Sequence, residues 1–165
     1  MLLYHFTSRE NLRSIMQSGL SRGAVHLSAD QRLPAVWLTT DGSAKGHGLD
    51  SGGAFMTDEE RIQAREWSGR IPPPGERFPK PAEVRIAVEI EVGDRLLHDW
   101  LPWARRHIDA EWLAQLHPVA SGDLKKARNW RLYFGVILTE AFVAVEELGA
   151  CPTVVPLRPE VRLAS

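Results

Sequence analysis

The sequence predicts an α+β domain, with a mostly antiparallel sheet as its core and flanking helices to one side of it. Three observations predict this class. The first twenty residues pass from a short strand directly into a helix, residues 84–92 alternate between apolar and polar side chains, and several further short β-prone segments surround one inserted helix. The chain has 165 residues, which fits a single domain spanning 1–165.

The opening stretch contains the clearest strand-to-helix transition. Leu2 to Phe6 form a short β-prone run, and Ser8 follows at a position typical of a helix N-cap. Three apolar residues then repeat at helical spacing until Gly19, namely Leu12, Ile15 and Met16.

His5 and Thr7 lie at the end of this first strand. Alternation along a strand points both side chains to one face. An imidazole and a hydroxyl placed together at a strand end suggest ligand contacts, because sheets flanked by helices commonly bind ligands beyond their strand ends. The alternative is a purely structural pair, in which His5 is bonded to backbone and Thr7 is a turn residue.

The next segments predict two more strands and a loop. Residues 24–28 and 35–39 are β-prone, whereas 30–34 is expected to be a loop, because Pro34 cannot donate to a central strand ladder. Residues 41–53 are rich in glycine and lack apolar periodicity, which predicts a mobile loop. Such a loop either covers a ligand or is a plain surface connection, and His47 is its candidate ligand contact.

Residues 57–60 form a capping box that opens a helix to about residue 68. Five prolines make 71–81 an extended connection. Residues 84–92 alternate regularly, which predicts a strand with one buried and one solvated face.

The last third is expected to begin with helices and to close with strands. Residues 95–116 predict two helical pieces, broken near Pro102 and capped again by Asp109. Residues 130–138 and 142–145 read as two strands joined by a hairpin or a tight corner.

Composition excludes several classes of protein. The net charge of −1 argues against non-specific binding of nucleic acid. No apolar run is long enough to cross a membrane, and no secretory signal is evident. With a single cysteine, Cys151, no internal disulfide is possible, so a cytoplasmic location is expected. No metal site is predicted, because the histidines lack paired ligand spacing.

Three stretches resemble the ADP-ribosyltransferase superfamily, notably its RNA 2′-phosphotransferases and its DNA-targeting ADP-ribosyltransferase toxins. The first runs Leu3-Tyr4-His5-Phe6-Thr7-Ser8 and continues through Asn11-Leu12, Ile15 and Gly19-Leu20. Residues 36–40, Val-Trp-Leu-Thr-Thr, are similar to the family's second motif, and residues 133–145 are similar to its closing strand pair. Together they cover about a third of the chain.

The resemblance implies a split sheet, NAD as co-substrate and release of nicotinamide during transfer to a protein or nucleic acid acceptor. It implies that His5 bonds a ribose and that the backbone of Tyr4, Phe6 and Thr7 holds the carboxamide. Trp37 would then stack on the nicotinamide, a cation–π contact worth about 0.5–2 kcal/mol, unless it is simply buried packing. The resemblance further implies that Thr39 or Thr40 bonds a ribose hydroxyl, and the loop residue His47 completes the set of candidate ligand contacts.

One departure from the family pattern concerns the catalytic acid. Such transferases use a glutamate on the strand before the last, whereas residues 129–133 here contain no carboxylate. Glu140 is the nearest substitute, and Arg131 is closer to the 2′-phosphotransferase branch, which holds a phosphate with His and Arg. Three readings follow: an NAD-dependent transferase, a 2′-phosphotransferase-like enzyme, or an inactive relative that binds a nucleotide or a protein. An unrelated fold is the remaining alternative.

Overall fold

The computed structural model describes residues 1–28, 30–47, 49, 56–59, 61–62, 71–75, 82–114, 126–149 and 153–154. Seven strands form one sheet in the order β6-β7-β4-β1-β5-β8-β9, and β2 and β3 form a separate pair. The strands are β1 Leu2–Thr7, β2 Ala24–His26, β3 Arg32–Pro34, β4 Val36–Thr39, β5 Val84–Glu89, β6 Leu97–Asp99, β7 Trp130–Tyr133, β8 Phe142–Glu147 and β9 Thr153–Val154. The helices are α1 Arg9–Ser18 and α2 Trp100–His107, and two short 3-10 helices span Lys126–Asn129 and Thr139–Ala141.

The observed architecture confirms an α+β fold with an antiparallel sheet, since every pairing between these strands is antiparallel. The predicted strand-to-helix opening is also confirmed. Ser8 is the N-cap residue of α1, and Gly19 ends that helix with a φ of 77°. A side chain at position 19 would place its Cβ 2.4 Å from the Ile137 carbonyl oxygen. Only glycine therefore fits there.

Strand β1 lies in the middle of the sheet and is joined unequally to its two neighbours. It pairs with β5 at all six of its residues, from Leu2↔Glu89 to Thr7↔Val84. With β4 it pairs only at Tyr4↔Thr39, although both strands are fully described. The ladder between β1 and β4 therefore stops after one pair, close to His5.

One face of the sheet is covered by α1. Leu3 and the central residues Leu38 and Ile86 are fully buried on this face. Three partly buried residues of α1 pack against this cluster, namely Leu12, Ile15 and Met16. Because alternate residues of a strand share a face, His5 and Thr7 lie on this side together with Leu3.

The other face is covered by α2 and is rich in tryptophan. Leu132 pairs with Trp37 and is buried in a cluster with Trp100 and Trp103 of α2. Pro102 lies in the first turn of α2, where the missing N–H would have no intrahelical partner, so it does not break the helix. Asp109 caps the helical residues that follow, accepting the Glu111 N–H at 2.8 Å.

Several sequence predictions about the connections are wrong. Helices cover both faces of the sheet rather than one, because both faces carry apolar residues. Pro34 belongs to a strand: β3 pairs only with β2, so its proline occupies an edge. Of the two alternatives for the link to β8, the hairpin is wrong, because β7 pairs with β4 and β6 whereas β8 pairs with β5 and β9. The 3-10 turn Thr139–Ala141 directly before β8 matches the other alternative, a tight corner.

The alternation predicted for residues 84–92 is confirmed on its buried face, since Val84, Ile86 and Val88 are fully buried. The opposite face is solvated only in part, because Glu89 is exposed whereas Arg85 is partly exposed and Ala87 is buried. Residues 97–99, expected to be helical, form β6 at the sheet edge. Asp58, Glu59, Arg61 and Ile62 are helical, as the capping box predicts. The rest of the predicted 57–68 helix and residues 76–81 of the proline-rich connection lie outside the described residues.

Within the described part of the chain, no helix combines the length and the apolar character needed to span a membrane.

Candidate functional site

A small open pocket lies between the end of β1, helix α1 and the turn that follows this helix. Its volume is about 80 Å³. The lining residues are His5, Thr7, Asn11, Ser14, Ile15, Ser18, Gly19, Leu20, Ser21 and Arg22. Sites that enclose a whole drug-sized ligand are larger, about 300–1,000 Å³. The pocket can therefore receive one part of a nucleotide-sized molecule and not the whole of it.

His5 forms the inner wall of this pocket at the point where the β1–β4 ladder stops. Its Nδ1 lies 2.9 Å from the Trp37 carbonyl oxygen. A carbonyl oxygen only accepts hydrogen bonds, so Nδ1 carries the proton and Nε2 of the neutral ring is an acceptor. Burial lowers the pKa of His5 below the ordinary value of 6.5, and the bond to Trp37 offsets part of this effect. The ring is therefore neutral at neutral pH.

The strand end carries a pair of buried hydroxyl groups. Thr7 is 6% exposed and Ser8 is 4% exposed. Both accept hydrogen bonds from the side-chain amide of Asn11, at 3.3 Å to Thr7 Oγ1 and 3.1 Å to Ser8 Oγ. The Ser8 side chain does not cap α1. Instead, the Glu83 carboxylate accepts the Arg9 backbone N–H at 3.0 Å.

The outer wall of the pocket is polar, and sequence reasoning missed it. Ser14 and Ser18 of α1 face the pocket one helical turn apart, followed by Ser21 and Arg22 in the turn. A sequence signal was available, because Asn11, Ser14 and Ser18 form a polar stripe at helical spacing beside the apolar stripe of α1. Hydroxyl groups and a guanidinium group suit a ligand that has hydroxyls and negative charge.

Trp37 does not share this pocket, which corrects the prediction that its indole stacks on the ligand that His5 contacts. Its ring lies on the opposite face of the sheet, 4.7 Å from the Trp100 ring and 5.8 Å from the Trp130 ring. Its Nε1 donates to the Ala24 carbonyl oxygen at 2.9 Å. This arrangement is the buried-packing alternative, since the ring is held by neighbours on the side away from His5.

The other predicted ligand contacts from β1 and β4 also lie away from the pocket. Tyr4 and Phe6, predicted to offer backbone groups, are absent from the described lining of the pocket, and their side chains point to the tryptophan-rich face because they alternate with His5. Thr39 is fully buried, and its hydroxyl accepts the Asp41 N–H at 3.1 Å. Thr40 is exposed and donates its N–H to Asn129 at 3.0 Å.

His47 belongs to a separate polar cluster. It is 1% exposed, its Nε2 lies 3.2 Å from Asp41 Oδ2, and its ring contacts the edge of Trp130 at 5.1 Å. Lys126 pairs with the same Asp41 oxygen. The Lys126 hydrogen bond is the main reason why the pKa of Asp41 falls to about 2, and the Ser43 N–H contributes as well.

The first part of the predicted mobile loop is therefore closely packed. Residues 41–47 are tied to the sheet through Asp41, and Arg85 donates to the Gly42 carbonyl oxygen. Residues 48 and 50–53 of the predicted loop lie outside the described residues.

The two predicted catalytic side chains outside β1 do not line the pocket. Arg131 pairs with Asp99 at 2.7 Å and also donates to the Arg128 carbonyl at 2.8 Å. Glu140 is exposed on a 3-10 turn that packs against α1, on the pocket side of the sheet. The structure thus brings together only His5 and Thr7 of the predicted site residues.

Among the described residues, no group of three or more His, Cys, Asp and Glu side chains could hold a metal ion. Cys151 and His117 lie outside that part of the chain.

No family model matches this sequence, and no curated protein or solved structure matches it either.

Proposed function

We propose that this chain is an NAD-dependent ADP-ribosyltransferase in which the His5 pocket binds a ribose of NAD. The observation that carries the proposal is the contact between His5 Nδ1 and the Trp37 carbonyl oxygen, 2.9 Å apart. Because the Nδ1–H group donates a hydrogen bond to the Trp37 carbonyl oxygen, Nε2 of His5 has a free lone pair in a residue that lines the pocket. A ribose hydroxyl is a donor that complements it, whereas an anion would not be attracted to a neutral imidazole.

The shape of the sheet supports the same proposal. Strand β1 leaves the ladder with β4 after a single pair, and the His5 side chain bonds a β4 carbonyl there. The resemblance implies a split sheet, and this short ladder between two central strands is the feature that supports it. The hydroxyl groups of α1 and the guanidinium of Arg22 add groups suited to ribose and pyrophosphate oxygens.

The proposed reaction breaks the bond between C1′ of the ribose and the nicotinamide nitrogen, and nicotinamide leaves with the electron pair. An acceptor oxygen or nitrogen forms the new bond to C1′ and loses its proton. Glu140 is the proposed proton acceptor, because it lies on the pocket side and forms no ion pair with any described residue. Arg131 cannot take this role, because a guanidinium cation has no lone pair for a proton, and as the predicted phosphate contact it is already paired with Asp99.

The experiment is an assay of nicotinamide release and of labelled ADP-ribose transfer, with protein and nucleic acid acceptors. His5→Asn keeps a donor near the Nδ1 position and removes the Nε2 acceptor, so both activities should fall by at least tenfold. His26→Ala is the matched control, because His26 is exposed on β2. A folded His5→Asn protein with unchanged activity would refute the assignment of His5.

A second candidate is a nucleotide-binding module without turnover. It is favoured by one observation, which is that none of the described residues lining the pocket carries a carboxylate. Calorimetry would then detect binding of NAD or ADP-ribose while nicotinamide release stays at background. A 2′-phosphotransferase-like enzyme is the third candidate, favoured by Arg22 in the same pocket. It predicts that an oligonucleotide with an internal 2′-phosphate loses this group in the presence of NAD.

A further inference from the structure

The junction between β1 and α1 contains two buried hydroxyls and one amide that joins them. Asn11 is the third residue of α1, and its Nδ2 reaches back to both Thr7 Oγ1 and Ser8 Oγ. The amide nitrogen is a donor only, so both hydroxyl oxygens act as acceptors in these bonds. Their own protons remain available for other hydrogen bonds.

The Thr7 proton has no acceptor among the described residues, although Thr7 is 6% exposed. A buried hydroxyl is usually fully hydrogen-bonded, and one left without a partner is costly. Thr7 lines the pocket beside His5, two residues away on the same strand face. The pocket is therefore where its proton can find an acceptor.

We propose that Asn11 is a positioning residue that holds the Thr7 hydroxyl as a hydrogen-bond donor to the ligand. This inference rests on the proposed function, and it adds the chemistry that the pocket selects. His5 Nε2 accepts one hydrogen bond and Thr7 Oγ donates another. The pair fits a ligand that offers one hydroxyl hydrogen and one oxygen lone pair side by side, as the neighbouring hydroxyls of a ribose do.

The first test is Asn11→Asp, which keeps the side-chain shape but replaces the donor with an acceptor. The Thr7 hydroxyl then donates to the new carboxylate and no longer to the ligand. The dissociation constant for NAD at pH 7 should rise about tenfold, the order expected for one lost hydrogen bond. The fold should not weaken, because a carboxylate in the first turn of a helix interacts favourably with its dipole.

Two further measurements separate positioning from a structural role. Thr7→Val should weaken NAD binding by a similar factor, and adding Asn11→Asp to Thr7→Val should cause no further loss. Binding by Asn11→Asp should also recover, relative to wild type, as the pH falls below about 4, because the carboxyl group then gains a proton to donate. Wild type measured at both pH values is the control.

The outcomes are distinct. Equal NAD affinity of wild type and Asn11→Asp, or additive losses in the double variant, would overturn the role of Asn11 and leave the proposed function standing. Absence of NAD and ADP-ribose binding to the wild type would overturn the proposed function and this inference with it.

Discussion

Asp41 should be a major anchor of the segment that leaves β4, and Asp41→Asn tests this. Its Oδ1 accepts the Ser43 N–H at 2.9 Å, and its Oδ2 contacts both His47 and Lys126. The depression of its pKa from 3.8 to about 2 corresponds to a contribution of at most about 2.5 kcal/mol to the free energy of unfolding, at about 1.4 kcal/mol per pKa unit. Because its side chain is 23% exposed, screening by solvent reduces this contribution. We expect Asp41→Asn to lower the free energy of unfolding by about 1–2 kcal/mol at pH 7.

The sign of the pH dependence follows from the direction of this shift. A carboxylate with a lowered folded-state pKa stabilises the fold fully above its unfolded value of 3.8 and loses that contribution as the pH falls towards 2. The difference in unfolding free energy between wild type and Asp41→Asn should therefore be constant from pH 7 to pH 5. It should shrink as the pH falls from about 4.5 to 3.

Urea denaturation across this pH range is the assay. Asp58→Asn is the matched control, because Asp58 pairs with Arg61 at 2.6 Å but its side chain is 86% exposed. That variant should change the unfolding free energy by less than about 0.5 kcal/mol. The reasoning fails if Asp41→Asn is as stable as Asp58→Asn at pH 7, or if its deficit persists unchanged at pH 3.

Three further predictions concern the strand ends and the pocket. Trp37→Phe removes the bond to the Ala24 carbonyl and should lower the unfolding free energy by about 1 kcal/mol, while calorimetry shows unchanged NAD affinity, because the ring lies on the face opposite the pocket. Gly19→Ala should lower the free energy of unfolding by about 2 kcal/mol or more, measured by thermal denaturation. The φ of Gly19 is 77°, and a Cβ at this position would meet the Ile137 carbonyl. Wild-type stability should fall below pH 6.5, by up to about 1.4 kcal/mol per pH unit, until the lowered pKa of His5 is passed. His5→Asn should abolish this component, and a pH profile identical to that of wild type would contradict it.

The structure brings together only part of the predicted site. His5 and Thr7 were predicted as neighbours because alternation along one strand fixes their common face, and the pocket contains both. His5 and Trp37 were predicted to contact the same ligand, but they lie on different strands. No local sequence pattern tells whether two side chains on different strands point to the same face of the sheet. The pairing of Tyr4 with Thr39 decides it, placing the two rings on opposite sides of the sheet.

The connections between elements also depend on contacts that no local sequence pattern reveals. Pro102 looked like a helix break, but only the observed start of α2 at Trp100 shows that it occupies the first turn, where proline is tolerated. The short gap between residues 138 and 142 suggested a hairpin. The strands on either side instead join different parts of the sheet, because β7 finds its partner in β4 and β8 finds its partner in β5.

By itself the sequence determined the strand that carries His5 and Thr7 and the helix that follows it. Periodicity and capping residues act within a few positions of the chain, so they can be read without a fold. The tertiary structure alone decided which nitrogen of His5 carries the proton and which side of the sheet each ring occupies. Those properties depend on the Trp37 carbonyl and on strand register, which are set by residues more than thirty positions away.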